Sequence, residues 1–460
     1  MKRLCLVLFI LPLLIQCQPK DESQHSDQVF VHANVLPMTS AEVLPDQTVW
    51  VRDGKIHQIA PFSQLKYPKS ATVIDATDQY LMPGLAEMHA HIPVPKEGND
   101  SLVKETLFLY LSCGVTTIRG MLGDPYHLEL KQKVNQGDIL GPRIYTSSPS
   151  CNGNTLPTPQ GAREKVAQYQ KDGYDFLKIH PGIQWEVFQA LDRTADSVGI
   201  AFSGHVPIDV GIRNAITTRY ASIDHIDGYL EGLVPKSKGL DPASNGFFGY
   251  YFTDQIDRDS IAVLAQATKA AGIAVVPTQS LFTRWFSPAS PEEMANEPEM
   301  KYMAPGTLYN WRQGKTRSIT DPKYNAAQWE RFIEIRKALL QAFHQADVLL
   351  LMGSDAPQIF NVPGFSIQHE AEAMAAAGLP NFAILKSGTA NPAAFFSAVG
   401  EYGTLVKDAS ADLILLKANP LENVSNLRQI SGVMVRGNWL SRDTIDTELE
   451  IGRASCRERV

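Results

Sequence analysis

The chain has 460 residues, 44% of them hydrophobic and 20% charged. That balance excludes a disordered protein and provides ample core, in two or more domains or in one large barrel with an appendage. The formal net charge is −7 and no basic cluster occurs along the chain, which argues against nucleic acid as a partner.

Lys2 and Arg3 precede an apolar run over residues 4–15, followed by Gln16 and Cys17. The run is too short to span a bilayer as a helix and has the order of a secretory signal. Residues 14–17 resemble a bacterial lipobox, in which the cysteine is lipidated after cleavage. Gln16 departs from the small residue usual before that cysteine. The expectation is a signal peptide over 1–17, an exported protein in the periplasm or held at the outer membrane as a lipoprotein, and a lipid anchor to a membrane at Cys17. A buried N-terminal helix is the alternative. Residues 18–28 are polar and predict a tether.

Residues 29–35, 48–52, 55–60 and 72–75 predict strands, with Asp53-Gly54 as a hairpin turn. This β unit spans 29–82. From Pro83 the pattern alternates. Strands are predicted over 85–91, 116–119, 143–147, 175–179, 201–205, 222–225, 274–276 and 349–353. Helices are predicted over 101–112, 162–171, 185–198, 260–271 and 326–345. Eight strands alternating with helices predict an α/β fold, a (β/α)8 TIM-like barrel over 83–392. An open doubly wound sheet is the alternative, but no Gly-rich dinucleotide fingerprint follows the first strand. Connections 227–258 and 278–325 are rich in Pro, Gly, Ser and aromatics, as lids over an active face often are. Helices are expected over 366–377 and 381–389, then strands at 404–405, 412–416 and 432–435. The segment 393–448 is expected to complete the first β unit, so that a small β-sandwich is built from both chain ends.

Residues 451–460 can be back-translated as ATCGGAAGAGCGTCGTGTAGGGAAAGAGTG, which looks like a sequencing adapter read through in frame. They are expected to be an assembly artefact, to be set aside in fold reasoning. Recovering those codons from intact genomic DNA would refute this. Of five cysteines, Cys5 and Cys17 lie in the signal region and Cys456 in the suspected artefact. Cys113 and Cys151 alone make no disulfide framework.

The first barrel strand ends in His89-Ala90-His91. Residues two apart on a strand face one side, so two neutral imidazoles there can grip a metal ion. Lys178, His205, His225 and Asp355 end later predicted strands, and a barrel gathers such ends on one face.

These stations sit in Pro-Gly-Leu-Ala-Glu-Met-His-Ala-His (83–91), Asp-Phe-Leu-Lys-Ile-His (175–180), Ser-Gly-His (203–205), Ser-Ile-Asp-His (222–225) and Met-Gly-Ser-Asp-Ala (352–356). With Gly-Val-Thr-Thr-Ile-Arg (114–119), Gly-Thr-Ala-Asn-Pro-Ala (388–393) and Ala-Asp-Leu-Ile-Leu-Leu (411–416), the chain resembles the amidohydrolase superfamily over nearly all of 29–440. The resemblance is to the branch with two metals bridged by a carboxylated lysine, and within it to the imidazolonepropionase and Xaa-Pro dipeptidase set. It implies that His89, His91 and Asp355 hold the more buried metal and His205 and His225 the other. Lys178, carboxylated by carbon dioxide, would bridge both. The two divalent ions are expected to be Zn²⁺, which suits imidazole and carboxylate donors, with Mn²⁺ or Co²⁺ as alternatives. Two cations sharing a water would give hydroxide near neutral pH. Asp355 would act as general base and then general acid, and His225 or His180 would steady the oxyanion.

Tyr229 and Arg119 are candidate contacts for a small-molecule substrate, with packing or an ion pair as the alternative, and His180 is a third candidate. The activity implied is hydrolysis of a C–N bond, as in a dipeptide or an N-acyl amino acid. A lactonase or esterase or an organophosphate hydrolase on the same site is the alternative, with a non-catalytic scaffold behind both. Whether the chain forms a homo-oligomer is left open.

Overall fold

The computed structural model describes residues 27–458, with side chains described through Arg453. The predicted signal segment, most of the tether, and Cys5, Cys17 and the Cys456 side chain lie outside the described residues. Among the described residues no helix is long and apolar enough to cross a membrane.

Strands from both chain ends build one sheet. β1 (Gln28–Val35), β2 (Leu44–Arg52), β3 (Lys55–Pro61), β4 (Thr72–Asp75) and β5 (Tyr80–Pro83) come from the N-terminal side. The sheet is completed by Leu413–Leu416, Ile430–Val435 and Asn438–Ser441, through antiparallel pairing of Leu413–Leu416 with β5. The sheet is rolled. Val49, Val51 and Ile56 at one end share an apolar cluster with Leu413, Leu415 and Met434 near the other. The sandwich expected from sequence is thus a single sheet whose ends face each other. A bulge in β1 makes the roll possible. His32 has φ +58° and the register slips between Phe30 and Ala33. Across it the inward parity switches from Phe30 to Ala33 and Val35, while Val29 and Val31 face a smaller cluster with Trp50 and Leu65.

The barrel strands are β6 (Leu85–Ala90), β7 (Val115–Gly120), β8 (Arg143–Cys151), β9 (Phe176–Ile179), β10 (Ala201–Gly204), β11 (Tyr220–Asp224) and β12 (Ala274–Val276). They pair in parallel and in sequential order. The eighth position is held by residues 349–356, which form bridges rather than a strand. Leu351 N donates to Val275 O at 2.9 Å, Met88 N to Met352 O at 2.9 Å, and His91 N to Ala356 O at 2.8 Å. This segment closes the ring and bends as it does so, because Asp355 has φ +64°. Gly353 permits the closure: a Cβ there would lie 2.6 Å from Val276 Cγ1 and 2.9 Å from His89 N. The sheet domain's last strands are β13 (Leu413–Leu416), β14 (Ile430–Val435) and β15 (Asn438–Ser441).

Two local expectations need correction, and two helices were not expected. Residues 404–405 form no strand; Leu405 N donates instead to Pro37 O at 2.9 Å, joining a loop to the sheet core. The connection 278–325 is largely helical, over Gln279–Trp285, Pro291–Ala295 and Pro305–Thr320. A helix over Pro125–Gln136, capped by the Asp124 carboxylate, follows β7. A C-terminal helix spans Arg442–Glu458, running through the first part of the suspected artefact.

Candidate active site

The strand ends carry a donor cluster. Strand geometry turns His89 inward from β6 and brings His91, just past it, to the same rim. Ligand atoms of His89, His91 and Asp355 lie within 4.8 Å of one another. His91 Nε2 is 2.7 Å from Asp355 Oδ1, and His89 Nε2 is 3.5 Å from the same oxygen. Lys178, fully buried at the end of β9, places Nζ 3.5 Å from His89 Nε2. His225 packs its ring 4.4 Å from that of His89 and 4.6 Å from that of His205. The six predicted ligands therefore meet at one rim. Gly204 makes room for Lys178 there: it has φ +131°, and a Cβ would meet Ile179 O at 2.4 Å and Lys178 Cδ at 3.1 Å.

What orients the rings was not foreseen. His89 Nδ1 is 3.0 Å from Asp224 Oδ2, His205 Nδ1 is 2.9 Å from Asp227 Oδ2, and His225 Nδ1 is 2.9 Å from Thr278 Oγ1. His89 Nδ1 faces the Asp224 carboxylate at ion-pair distance without a hydrogen bond, while with the proton on Nδ1 His205 and His225 each keep the Nε2 lone pair free. That is how metal-ligating histidines are normally held. Asp224 and Asp227 stand beside His225 in the sequence, within a motif already singled out. The signal available was their type and proximity, but their direction is a property of the fold. Glu87, fully buried, accepts from His89 N at 2.9 Å and from Ser354 N at 2.8 Å, and so ties β6 to the segment that bears Asp355.

Burial governs the protonation of this cluster. It lowers the His205 pKa to about 3 and the Lys178 pKa to about 8, and holds His89 and His225 well below the usual imidazole range. Asp224 and Asp355 oppose the shift at Lys178 without cancelling it. Neutral imidazoles and an accessible neutral amine are what metal ligation and lysine carboxylation require. The same burial raises Glu87 to about 8 and Asp227 to about 7. The spacing of His89, His91 and Asp355 and the neutral bases around them fit a divalent cation, with His205 and His225 adjoining.

Of the three predicted substrate contacts, one remains near the cluster. His180 lies over His205 with ring centroids 5.3 Å apart, and its Nδ1 is buried without a hydrogen-bond partner among the described residues. Burial pushes its pKa to about 2, so the ring is neutral. Arg119 is correctly placed on β7 but points into the closed barrel. Its Nε donates to Met88 O at 2.6 Å, Nη1 to Ser222 Oγ at 2.9 Å and Nη2 to Asp224 Oδ1 at 3.0 Å. Tyr229 lies outside the barrel wall, its hydroxyl 2.9 Å from Thr268 Oγ1 and its ring against Phe343. Both side chains are fully buried. Phe248, from the long connection after β11, stands 5.8 Å from the His205 ring and 5.6 Å from the His225 ring. His91 also lines a cavity of about 1250 Å³, with Ile92, Val94, Tyr302, Met303, Pro357 and Leu449 of the C-terminal helix, and is the one candidate ligand that does so.

A second group with metal-like spacing, Glu297, Glu299 and His369, is an ion-pair network instead. Arg284 pairs with Glu297, and Arg428 donates to His369 Nδ1 at 3.2 Å.

A parallel barrel with a His/Asp donor cluster on the C-terminal ends of its strands belongs to the class of TIM-barrel proteins with a candidate divalent-metal site. The chain belongs to the Amidohydrolase family, whose sequence profile matches residues 80–440. An adenine deaminase from Moorella thermoacetica is 26% identical over 167 residues, 34% of this chain and 26% of that protein. The chain's match to a second adenine deaminase, from Chelativorans sp., spans 11% of that protein's length. Among solved structures, a Bifidobacterium longum protein provisionally described as a prolidase is 24% identical with a TM-score of 0.67, covering 93% of this chain and 99% of its own. The bottromycin amidohydrolase is 23% identical with a TM-score of 0.69, covering 94% and 90%. At these identities the structures establish the shared fold.

Proposed function

We propose that the protein is an exported metal-dependent hydrolase of C–N bonds, acting on a dipeptide or an N-acyl amino acid. The observation that carries the reading is the arrangement of Asp355. Its carboxylate is the meeting point of His89 and His91, on a rim where two further imidazoles, His205 and His225, have their Nδ1 atoms tied back by Asp227 and Thr278 and where His89 Nδ1 faces Asp224. A scaffold has no need of that arrangement.

His89, His91 and Asp355 would hold one cation, His205 and His225 the other, and Lys178, as its carbamate, would bridge them. When bound, two such ions, with Zn²⁺ the best match to these donors, polarise a carbonyl and acidify a water. The chain's own residues supply the rest. Asp355 accepts the proton released at attack and returns it to the departing amine nitrogen. Neutral His180, beside His205, donates a hydrogen bond to the oxygen that gains charge. Phe248 and the walls around His91 exclude water from the reacting carbonyl and accept apolar parts of the substrate. The prolidase description of the Bifidobacterium longum relative supports dipeptides as the first class to try. Export rests on the order of residues 1–17, and a lipid on Cys17 would retain the protein at a membrane.

The test is a panel of Xaa-Pro dipeptides, N-acyl amino acids, lactones and aryl esters, assayed with Zn²⁺ and bicarbonate present. Turnover of amides above esters is expected, and turnover of lactones alone would replace this reading. Lys178→Ala should lose bound metal and activity together; full metal content in that variant would remove the carbamate.

A further inference from the structure

The turn after β12 bears Thr278, the residue that faces His225 Nδ1. It has φ +46°, a conformation that a β-branched residue seldom adopts. The residues His225 and Ile226, at the end of β11, are left-handed too, at +65° and +55°. Two irregular turns on neighbouring strands must therefore keep a fixed relation for one hydrogen bond to form.

Arg336 connects them. It comes from the helix Ala326–Gln345, which packs outside the barrel. Its Nη1 donates to His225 O at 2.7 Å, Nη2 to Pro277 O at 2.8 Å and Nε to Gln279 Oε1 at 2.9 Å. The guanidinium thus brackets Thr278 on both sides while holding the carbonyl of His225 itself. From the opposite side Glu370, on the helix Phe365–Ala376, accepts from Gln279 N at 2.8 Å and Ser280 N at 2.6 Å. The Phe282 ring lies 3.7 Å from the guanidinium carbon. Arg336, Glu370, Thr278 and Gln279 are all fully buried. A planar fork fixes two carbonyls relative to each other, and an ammonium does not.

We infer that Arg336 is a positioning residue for His225, clasping the ends of β11 and β12 so that the Thr278 hydroxyl sets the His225 ring and aims its Nε2. The inference rests on the metal role proposed for His225 and adds what orients that ligand. Arg336 acts through the backbone and Thr278, never on the substrate.

The experiment compares wild type, R336K, T278G and T278S by thermal unfolding, by Zn²⁺ and Co²⁺ titration of the purified apoprotein, and by kcat and KM on a substrate from the panel. R336K is expected to weaken the looser of two metals at least 10-fold and to lower kcat with KM little changed. T278G relieves the left-handed strain but lacks the hydroxyl. It is expected to match or exceed wild type in Tm while losing metal affinity as R336K does, and T278S is expected to recover most of that affinity. A purely structural role would move stability and metal affinity together. Wild-type affinity for both metals in T278G overturns the inference, as does equal loss in T278S and T278G; this pair decides even where R336K does not fold. A wild type that binds no metal overturns the proposed function, and the inference with it, whereas a wild type that binds two with T278G unaffected overturns the inference alone.

Discussion

The two β units of this chain are built from the same strand-forming residues, yet they bury different things. Inside the rolled sheet the cluster is Phe30, Val35, Val49, Val51, Ile56, Leu81, Leu413, Leu415 and Met434. Inside the barrel rim, equally closed to solvent, stand Glu87, His89, Arg119, Lys178, Asp224 and His225. Apolar burial stabilises at roughly 25 cal/mol per Å², whereas a buried ion pair seldom repays its desolvation. The rim therefore exists at a cost to stability, offset by the apolar contacts beneath it and in the neighbouring sheet. What the difference teaches is that charge density inside the barrel marks function, while the sheet domain contributes fold.

The comparison breaks first at Asp355. Asp355→Asn keeps the shape and removes the base proposed above, so kcat should fall about 10³-fold or more with the fold intact. Steady-state kinetics on a panel substrate, with circular dichroism as the control, measures it. Near-normal turnover would remove Asp355 from proton transfer and leave the rim as a binding feature.

Next in size is a paired test of the two interiors. Arg119→Met strips the guanidinium from Asp224, leaving Ser222 Oγ as its donor, and leaves a carboxylate buried beside His89 and Lys178. The expected loss is about 3–5 kcal/mol, accompanied by weaker metal binding, because Asp224 stands 3.0 Å from His89 Nδ1. Leu413→Ala in the sheet should cost a comparable ~2–5 kcal/mol by opening a cavity, with kcat per folded molecule unchanged. Denaturant midpoints beside kinetics separate the two. Equal kinetic effects from both would show that the domains are energetically one unit and would dissolve the contrast.

Much of this was legible in the sequence, for reasons that can be located. The barrel was readable because strand and helix periods alternate from Pro83 onward, and the ligand stations were readable because each falls at a strand end. Asp355 was placed correctly even though its segment forms bridges and no strand, since the closing hydrogen bonds need only a short apolar run. Three things were not readable. The helix Pro125–Gln136 buries only His127, Leu130 and Val134, too sparse a stripe to reveal a period. The helix Pro305–Thr320 buries only Trp311 and Lys315, and Lys315 is held there by Arg284 O, Ser287 O and Ser287 Oγ, a polar anchor that no apolar pattern announces. The roll of the sheet depends on a register slip at His32, and strand patterning assumes unbroken alternation. At the site, the candidate ligands lay in recognisable stretches. Their supports Thr278, Arg336 and Glu370 come from separate elements, and only the fold brings them together.

The smallest expected effect tests a residue for which the sequence left substrate contact and packing open. Tyr229 follows His225 closely enough that a loop reaching the substrate was one expectation. Instead the turn at 225–228 runs through left-handed His225, Ile226 and Gly228, which reverses the chain and carries Tyr229 behind the barrel. There its hydroxyl meets Thr268 and its ring packs on Phe343. Tyr229→Phe leaves the packing and removes one buried hydrogen bond, so stability should drop by about 1 kcal/mol while KM stays unchanged. A rise in KM without loss of stability would return Tyr229 to the substrate side, and would mean that the turn after β11 opens in solution. The same measurement on His180→Asn should give the opposite pattern, because His180 packs beside His205 at the open rim: KM or kcat moves, and the unfolding midpoint holds. The pair sharpens the contrast to single residues, since both flank candidate ligand stations in the sequence and only His180 packs against the cluster.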